Sequence, residues 1–439
     1  MISRRSFLEA SGLIGLVAAA RGGTEAAAHP PRPQEPLPPL DRPVGPPDRV
    51  ASDEAYWGRV AAYYRVSDRY TNLEAGYFGM MAAPVLAAYH RAIDRVNLES
   101  SFFARRSYDG ELAAARDRLA GFLGTTPAEV LFTRGATEAL QRLIVQYRGV
   151  SRGDVVMYAD LDYHAMQFAM NALARQRGAR VARLAIPEPA SREAVLAAYG
   201  EALDREPRTR LLLLTHLNNK TGLIIPVKEI VALARARGAD VVVDAAHSFG
   251  QVDLRMEDLG ADFVGLNLHK WIGAPVGVGA MYIREGRLDD IDVMLEDESG
   301  DRSRIESRIH TGTANFATFL TVPSALDFHA AVGPAHKAAR VRYLRDRWVK
   351  GARERRGIDV LTPDDPGLVA AITSFRLNGR TGRAENQAVV ASLLDRYGLF
   401  TVWRTGLDRG DCVRVTPALY NLPAHADRLV AALAELATA

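Results

Sequence analysis

The segment VVVDAAHSFG, residues 241–250, passes from three β-branched residues directly into an aspartate, two alanines and a histidine. A second segment, GLNLHKWIGAPVGVG at residues 265–279, places a lysine between an apolar run and a glycine-rich loop. Both patterns predict buried β-strands with polar side chains at their carboxyl ends. A carboxylate and an amine are costly to bring near an apolar core, so Asp244 and Lys270 should share a charged or reactive partner.

Apolar runs of the same kind recur on both sides of these two segments. Between residues 84 and 283, runs such as DVVMYA, RLLLLTHL and VGAMYI alternate with helical patterns such as HAMQFAMNALARQRG and PVKEIVALARARG. Continuous apolar strands suit a parallel sheet that helices cover on both faces. After about residue 317, a long helical region leads to shorter strands and helices, which predicts a second, smaller α+β domain.

The composition excludes several classes of function. The chain has 439 residues, with 55 basic and 52 acidic side chains and a net charge of +3. That charge is too small to predict a nucleic-acid partner or an anionic membrane surface. The single cysteine, Cys412, excludes an intrachain disulfide and a cysteine-rich metal site. The histidines follow different strand ends without paired spacing, so we expect no metal.

The first 48 residues have the composition of a targeting segment followed by a linker. SRRSFLEASGLIGLVAAA, residues 3–20, has paired arginines before a short apolar run that ends in small residues. This pattern resembles a twin-arginine export signal over residues 1–28, with an ordinary secretory signal as the alternative. The run is too short for a permanent span, so we expect no stable membrane insertion. The proline-rich residues 29–48 should form an extended linker.

Asp244 and Lys270 are the pairing that a pyridoxal 5'-phosphate site requires. In open α/β sheets, ligands bind beyond the carboxyl ends of the strands. A lysine there can form a Schiff base, and a carboxylate can keep the pyridine nitrogen protonated. Alone, the two residues are equally consistent with a buried salt bridge. The turn TRGATEAL, residues 133–140, would offer backbone amides and a hydroxyl to a phosphate, but by itself it fits a plain helix N-cap better.

Eight segments, taken in order, resemble the class V aminotransferase family of fold-type I pyridoxal phosphate enzymes, and in particular its isopenicillin N epimerase-like branch. They are YTNLEAGYFGMMAAPV, TRGATEAL, DLDYHAM, HLNNKTGLIIPVKEI, DAAH, LHKW, HTGTANFA and VRVTPALYNLPAHADRLVAAL. The resemblance extends from residue 70 to the C-terminus. It implies a large domain at 83–316 with a mostly parallel seven-stranded sheet, a small α+β domain at 317–439, and residues 49–82 packed against the small domain.

The resemblance implies roles for residues around the cofactor ring. Lys270 would form the Schiff base, and Asp244 would bind the pyridinium nitrogen. His164 would stack on the pyridine ring, although the neighbouring Tyr163 could take that place. A solvent-facing histidine at a helix start is the alternative for His164.

Other matched positions imply contacts with the phenolic oxygen and the phosphate. Asn219 and His247 correspond to groups near the phenolic oxygen, and glutamine is usual at the second position in much of the family. Thr313 would reach the phosphate of the neighbouring subunit, which implies a homodimer. The residues that would hold the phosphate are Ala136, Thr137, Asn267 and His269.

Arg414 would bind the α-carboxylate of an amino-acid substrate in bidentate fashion. The family includes transaminases, epimerases, β-lyases and cysteine desulfurases. A desulfurase needs a mobile nucleophilic cysteine, whereas Cys412 is two residues from Arg414 on the same predicted strand. We therefore expect a transaminase or an epimerase, with a β-lyase as the alternative. Two other classes of protein are disfavoured by the presence of Lys270, Asp244 and Arg414. One is a catalytically silent binding protein of the same fold, and the other is a sugar aminotransferase of a related fold.

We expect Arg4 and Arg5 to direct export by the twin-arginine machinery, and hence a periplasmic enzyme, because that route carries folded proteins with their cofactor. A reporter fused to residues 1–40 should leave the cytoplasm, and changing both arginines to lysine should retain it there. Cell fractionation measures the distribution, and changing Arg21, beyond the apolar run, is the matched control. Export that survives the double change would indicate an ordinary secretory signal or no signal function.

Overall fold

The computed structural model describes residues 40–294 and 301–438. The twin-arginine segment and most of the proline-rich segment lie outside the described residues. Within the described part, no helix combines the length and the apolar composition needed to cross a bilayer. No group of three or more His, Cys, Asp and Glu side chains in this part is arranged to hold a metal ion.

Strands and helices alternate through the first two thirds of the described chain. The strands are β1 (Thr71–Asn72), β2 (Val130–Thr133), β3 (Val155–Ala159), β4 (Arg180–Leu184), β5 (Thr209–Thr215), β6 (Asp240–Asp244), β7 (Phe263–Asn267), β8 (Gly279–Ile283), β9 (Ile358–Val360), β10 (Thr373–Leu377), β11 (Leu399–Phe400), β12 (Val402–Arg404) and β13 (Cys412–Val415). The helices are α1 (Pro47–Val50), α2 (Glu54–Ala62), α3 (Ala83–Arg106), α4 (Tyr108–Leu123), α5 (Ala136–Val145), α6 (His164–Arg177), α7 (Arg192–Arg205), α8 (Val227–Arg235), α9 (Met256–Leu259), α10 (Phe316–Leu320), α11 (Val322–Val332), α12 (Pro334–Arg353), α13 (Arg383–Tyr397) and α14 (Pro423–Thr438).

A seven-stranded sheet forms the core of the larger part, in the order β2-β8-β7-β6-β5-β3-β4. Strands β3 to β7 pair in parallel, whereas β8 is antiparallel to both β2 and β7. The mostly parallel seven-stranded sheet is therefore confirmed. The sequence of β8 did not show that this strand runs antiparallel to its neighbours. All five of its residues are buried, and a fully buried strand has the same apolar pattern in either direction. Strand β2 was not predicted, since four residues are too few to show a period.

Helices cover the sheet because its strands are apolar on both faces. The side chains of Leu211 and Leu213 on β5 and Val242 on β6 belong to one core cluster and are each 0% exposed. Leu140 of α5 and Met170 of α6 belong to the same cluster, so these two helices seal one face of the sheet. Burial of such side chains contributes roughly 1.5–3 kcal/mol each.

The register of the parallel strands brings their carboxyl ends to one edge. Thr215 of β5 pairs with Asp244 of β6, and Asp244 pairs with Gly265 of β7. The segments that follow these three strands therefore begin side by side. Those segments carry Asn219, His247 and Lys270. The three residues therefore lie close together at the carboxyl end of the sheet.

A four-stranded antiparallel sheet, β12-β13-β10-β9, forms the centre of the smaller C-terminal domain. β1 pairs in parallel with β11, so the chain near residue 71 joins this part. The single long helical region expected after residue 317 is three helices instead. It breaks at Thr321 and at Gly333, whose φ of +83° suits glycine and ends α11. α1 begins at Pro47, inside the segment expected to be extended.

Trp57 anchors the N-terminal helices to the rest of the chain. Its side chain is 0% exposed, and its Nε1 donates a hydrogen bond to the carbonyl oxygen of Val50 at 2.8 Å. The guanidinium of Arg340 on α12 lies 5.5 Å from the centre of its ring. Ile372 and Leu419 belong to the same core cluster, so one side chain joins helix α2 to segments far along the sequence.

Trp57→Ala should destabilise the fold by about 3–5 kcal/mol, because it leaves a large cavity in the core. Urea unfolding followed by far-ultraviolet circular dichroism measures the loss. Trp403→Ala is the matched control, since that indole is partly exposed and its loss should cost less. Equal losses in the two variants would contradict the anchoring role of Trp57.

Candidate active site

Lys270 follows β7 at the shared edge of the sheet, where its amine contacts a histidine. The Lys270 Nζ atom lies 2.9 Å from Nε2 of His247. Loss of hydration lowers the pKa of Lys270 from 10.5 to about 8, and the charge of Arg414 lowers it further, while Asp244 opposes the shift. An amine with this pKa is partly uncharged near neutral pH, which is the form that reacts with a carbonyl carbon.

The hydrogen bonds of His247 indicate which of its nitrogens carries the proton. Burial, followed by the charge of Lys270, holds the pKa of His247 well below its usual range, so the ring is neutral. Its Nδ1 accepts from the indole Nε1 of Trp271 at 3.4 Å, which leaves the proton on Nε2. Nε2 can then donate to Nζ in the fraction of molecules whose Lys270 amine is uncharged.

Asp244 is the last residue of β6 and is 3% exposed. One of its oxygens accepts a hydrogen bond from the amide of Ala246 at 2.9 Å. Burial raises the pKa of Asp244, while this hydrogen bond and the charge of Lys270 lower it. A buried carboxylate with one backbone hydrogen bond retains acceptor capacity, so it is suited to a cationic partner.

The N-terminus of α5 lies against the segment that carries Lys270. Asn267 Oδ1 accepts from the amide of Ala136 at 2.8 Å, and His269 Nδ1 lies 2.8 Å from the carbonyl oxygen of Val278. A Cβ atom on Gly135 would lie 3.2 Å from Asn267 Oδ1, so a larger residue here would crowd this contact. Asn267 occupies the first amide of the helix, which leaves the amide of Thr137 in the first turn for an anion.

Asn219 links the end of β5 to the smaller domain. Its carbonyl oxygen accepts a hydrogen bond from Arg414 Nη1 at 2.7 Å. Its side-chain Oδ1 is buried and has no hydrogen-bond partner within the described residues. Buried amide groups are seldom left unpaired, so this side chain has hydrogen-bonding capacity to offer a ligand.

Glu74 and Arg404 are charged residues of this site that the sequence analysis missed. Glu74 is 7% exposed and forms an ion pair with Arg414, which is 1% exposed. Arg404 Nη2 lies 3.6 Å from the same oxygen of Glu74. Glu74 stands alone among apolar residues and glycines in LEAGYFG, which is a signal that could have found it. Arg404 has no such signal, because arginine in a short edge strand is commonplace.

Two glycines let the segment that carries Glu74 pass close to the site. A Cβ atom on Gly76 would lie 2.4 Å from Arg414 Nη2, and one on Gly79 would lie 1.8 Å from the carbonyl oxygen of Lys270. The amide of Gly79 donates to the carbonyl oxygen of His269 at 2.8 Å. Residues 74–79 therefore run from the guanidinium of Arg414 to the backbone of Lys270.

The remaining predicted residues are more exposed. His164 begins α6 and is exposed, and its ring centre lies 4.6 Å from that of the partly buried Tyr163. Burial raises the pKa of Tyr163, with a further contribution from the charge of Asp244. Thr313 is exposed, and within the described part of the chain it makes no hydrogen bond or ion pair with the residues above.

Known proteins resemble this chain in sequence and in fold. The family model described as aminotransferase class-V matches residues 89–416. The chain is 32% identical over 413 residues to the isopenicillin N epimerase of Amycolatopsis lactamdurans, which covers 87% of this chain and 98% of that protein. A cysteine desulfurase from Escherichia coli has a TM-score of 0.73 at 21% identity, over 87% of this chain and 98% of that one. A C-DES variant with glycine covalently linked to its PLP cofactor has a TM-score of 0.72 at 21% identity, over 84% and 97%.

The fold and the lysine–aspartate site define a fold-type I enzyme that depends on pyridoxal 5'-phosphate. The chain belongs to the class V aminotransferase family. The residues present fit the cofactor, because a partly uncharged amine, a buried carboxylate and an unpaired amide face one edge of the sheet. The N-terminus of α5, with the amide of Thr137 in its first turn, would suit its phosphate.

We expect Lys270 to react with pyridoxal phosphate in a pH-dependent way set by its lowered pKa. Only the uncharged amine reacts, so attachment to the cofactor-free protein should rise as the pH passes about 8 rather than 10.5. Borohydride fixation followed by peptide mass spectrometry measures the yield at each pH, and the exposed Lys350 in the same digest is the internal reference. Identical pH curves for the two lysines would contradict the assigned environment.

Proposed function

We propose that this protein acts at the Cα of an amino acid, as a transaminase or an epimerase, with Lys270 as the residue that carries the cofactor. The observation that carries the proposal is a buried lysine amine, 2.9 Å from His247 Nε2 and near the buried Asp244, whose pKa is lowered by burial to about 8 and which is therefore partly uncharged near neutral pH. An amine in that state can attach to an aldehyde and afterwards take a proton from carbon.

Bound pyridoxal 5'-phosphate supplies an aldehyde carbon that condenses with amines and a pyridine ring that withdraws electrons from Cα. Asp244 would accept a hydrogen bond from a protonated ring nitrogen and so keep the proton there. Asn219 and His247 would lie near the phenolic oxygen. Lys270 Nζ would take the Cα proton, since its pKa of about 8 suits a base at neutral pH.

The remaining residues would bind and orient the cofactor and substrate. His164, the first residue of α6, or Tyr163 just before it, would cover one face of the pyridine ring. Arg414 would bind the α-carboxylate of the amino acid, because its Nε is buried without a partner while its other nitrogens hold Asn219 and Glu74. The residues that would surround the phosphate are Ala136, Thr137, Asn267 and His269.

The relatives support both the main proposal and a lyase as the alternative. The likeness to isopenicillin N epimerase supports epimerisation, which returns the proton to the opposite face of Cα. The likeness to a probable cysteine desulfurase of Vibrio cholerae, 27% identical, supports carbon–sulfur cleavage instead. Desulfuration through a cysteine persulfide is disfavoured here, because Cys412 is fully buried and burial raises its pKa to about 11. A catalytically silent binding protein would have no use for a reactive Lys270.

The proposal includes a homodimer and export. Thr313 would reach the phosphate of the partner subunit, and its exposure leaves it available for that contact. Apolar side chains near the site are also exposed: Tyr77 by 70%, Phe78 by 48% and Val276 by 62%. A partner surface would cover such groups. Export by the twin-arginine route, giving a periplasmic enzyme, remains part of the proposal on the evidence of the N-terminal sequence alone.

Lys270→Ala should abolish borohydride fixation of the cofactor and lower Cα deuterium exchange of a reactive amino acid by about 100- to 10,000-fold, the usual contribution of a positioned base. Lys337→Met is the matched control, because Lys337 is also buried and burial lowers its pKa to about 7. Fixation that survived in the alanine variant and vanished in the control would move the cofactor to Lys337.

The same holoenzyme, incubated in deuterated water with a panel of amino acids including cysteine and cystine, distinguishes the reactions. Chiral chromatography detects inversion, loss of the cofactor absorbance band with a keto acid detects transamination, and pyruvate with sulfide detects a lyase. Sulfide release without inversion or transamination would replace the main proposal by its alternative. No exchange with any amino acid would contradict both.

A further inference from the structure

The end of the site that faces the smaller domain contains two guanidiniums and one carboxylate. We propose that Arg404 binds the substrate α-carboxylate together with Arg414, and that Glu74 is a positioning residue that holds the two guanidiniums beside one another. This inference rests on the proposed function, because it concerns how an amino acid is held there.

The sheet of the smaller domain places both arginines on one face. β12 and β13 are antiparallel, with Val402 opposite Arg414 and Arg404 opposite Cys412. Side chains two residues apart on a strand share a face, so Arg404 and Arg414 are diagonal neighbours. Such neighbours are within reach of a single small anion when their side chains are long.

Contacts of the Glu74 backbone fix the position of this residue, so its position does not depend on the two arginines. Its amide donates to Asn72 Oδ1 at 2.8 Å, and it forms a parallel bridge with Thr416, two residues beyond Arg414. The close approach at Gly76 keeps the chain against the guanidinium of Arg414. A substrate carboxylate would therefore bind beside Glu74 and would not displace it.

Each of these three side chains has an unpaired polar atom. Nε of Arg404, Nε of Arg414 and Oε2 of Glu74 are all buried without a hydrogen-bond partner in the described part of the chain. Two unpaired donors on neighbouring guanidiniums match the two oxygens of one carboxylate. Unpaired buried donors are costly, so a ligand that satisfies them binds with a corresponding gain.

The charges favour one further carboxylate. Two guanidiniums face one carboxylate, which leaves one positive charge that a bound α-carboxylate balances. Burial acts to raise the pKa of Glu74, but Arg414 and Arg404 hold it below its usual value, so Glu74 is ionised. Burial, with the charge of Arg414, lowers the pKa of Arg404 to about 10, which is the direction expected of a cation short of negative partners.

Two oxyamine probes test the role of Arg404 without knowledge of the natural substrate. Aminooxyacetate and O-methylhydroxylamine attack the bound cofactor with the same group, but only the first carries a carboxylate. Their rates are followed in holoenzyme by the change in cofactor absorbance. Arg404→Ala should slow aminooxyacetate by about 10- to 100-fold, the range for a lost charged hydrogen bond, and leave O-methylhydroxylamine unchanged.

Arg383→Ala is the matched control for Arg404→Ala. The guanidinium of Arg383 lies 5.4 Å from the ring of Trp403, so this change removes an exposed cation next to the same strand without touching Glu74. Both probes should react with this variant as with the wild type. The inference would be overturned if Arg404→Ala preferred aminooxyacetate over O-methylhydroxylamine as strongly as the wild type does. It would also be overturned if Arg383→Ala slowed aminooxyacetate as much as Arg404→Ala does.

Glu74→Gln tests the positioning role, because it keeps the shape of the side chain and removes its charge. Aminooxyacetate should slow by about tenfold, on the scale of one charged hydrogen bond, and Glu74→Asp should recover part of the loss. If Glu74 instead competes with substrate for Arg414, Glu74→Gln would accelerate aminooxyacetate, which would contradict the inference. The cofactor absorbance band of each variant is the check that the site is still formed.

Arg414→Ala separates this inference from the proposed function. If only the inference is wrong, Arg414→Ala loses the preference for aminooxyacetate while Arg404→Ala keeps it. If the proposed function is wrong, Arg414→Ala also keeps the preference, or the wild type shows no cofactor band at all.

Discussion

The burial of one lysine amine is the constraint on which the rest of the site depends. Lys270 follows a strand at the sheet edge, where loss of hydration lowers its pKa to about 8. His247 stays neutral for the same reason and donates to the lysine instead of competing with it for a proton. The charge of Asp244 opposes this shift, so the pKa of Lys270 stays near 8 and does not fall further.

The substrate end of the site comes from three distant parts of the chain. Residues 74–79 enter from the N-terminal segment, Arg414 and Arg404 come from the smaller domain, and Asn219 comes from the sheet. Two glycines make the approach possible, because a methyl group at Gly79 would collide with the carbonyl oxygen of Lys270. The same segment brings Glu74 to Arg414. The close approach that the two glycines permit is therefore also what allows this ion pair to form.

Much of the fold and the cofactor end could be predicted from the sequence. Strands β3, β5, β6 and β7 were predicted because their apolar runs are continuous, and β4 was predicted from a run that two arginines interrupt. Asp244 and Lys270 stood out because charged groups at such strand ends are costly. Strand β2 was missed because it is short, and the direction of β8 was hidden because both faces of it are buried. The breaks at Thr321 and Gly333 were not predicted, although a proline follows each within two residues.

Local patterns alone determined the alternation of strands and helices, the glycine turn before α5 and the polar residues at the strand ends, because each depends on neighbours within a few residues. The tertiary structure decided which charges meet. Glu74 and Arg414 are 340 residues apart, and no local pattern indicates that they share an ion pair. The partner of a buried charge is chosen by the packing of whole elements, and so the electrostatics of the substrate end became visible only in the folded chain.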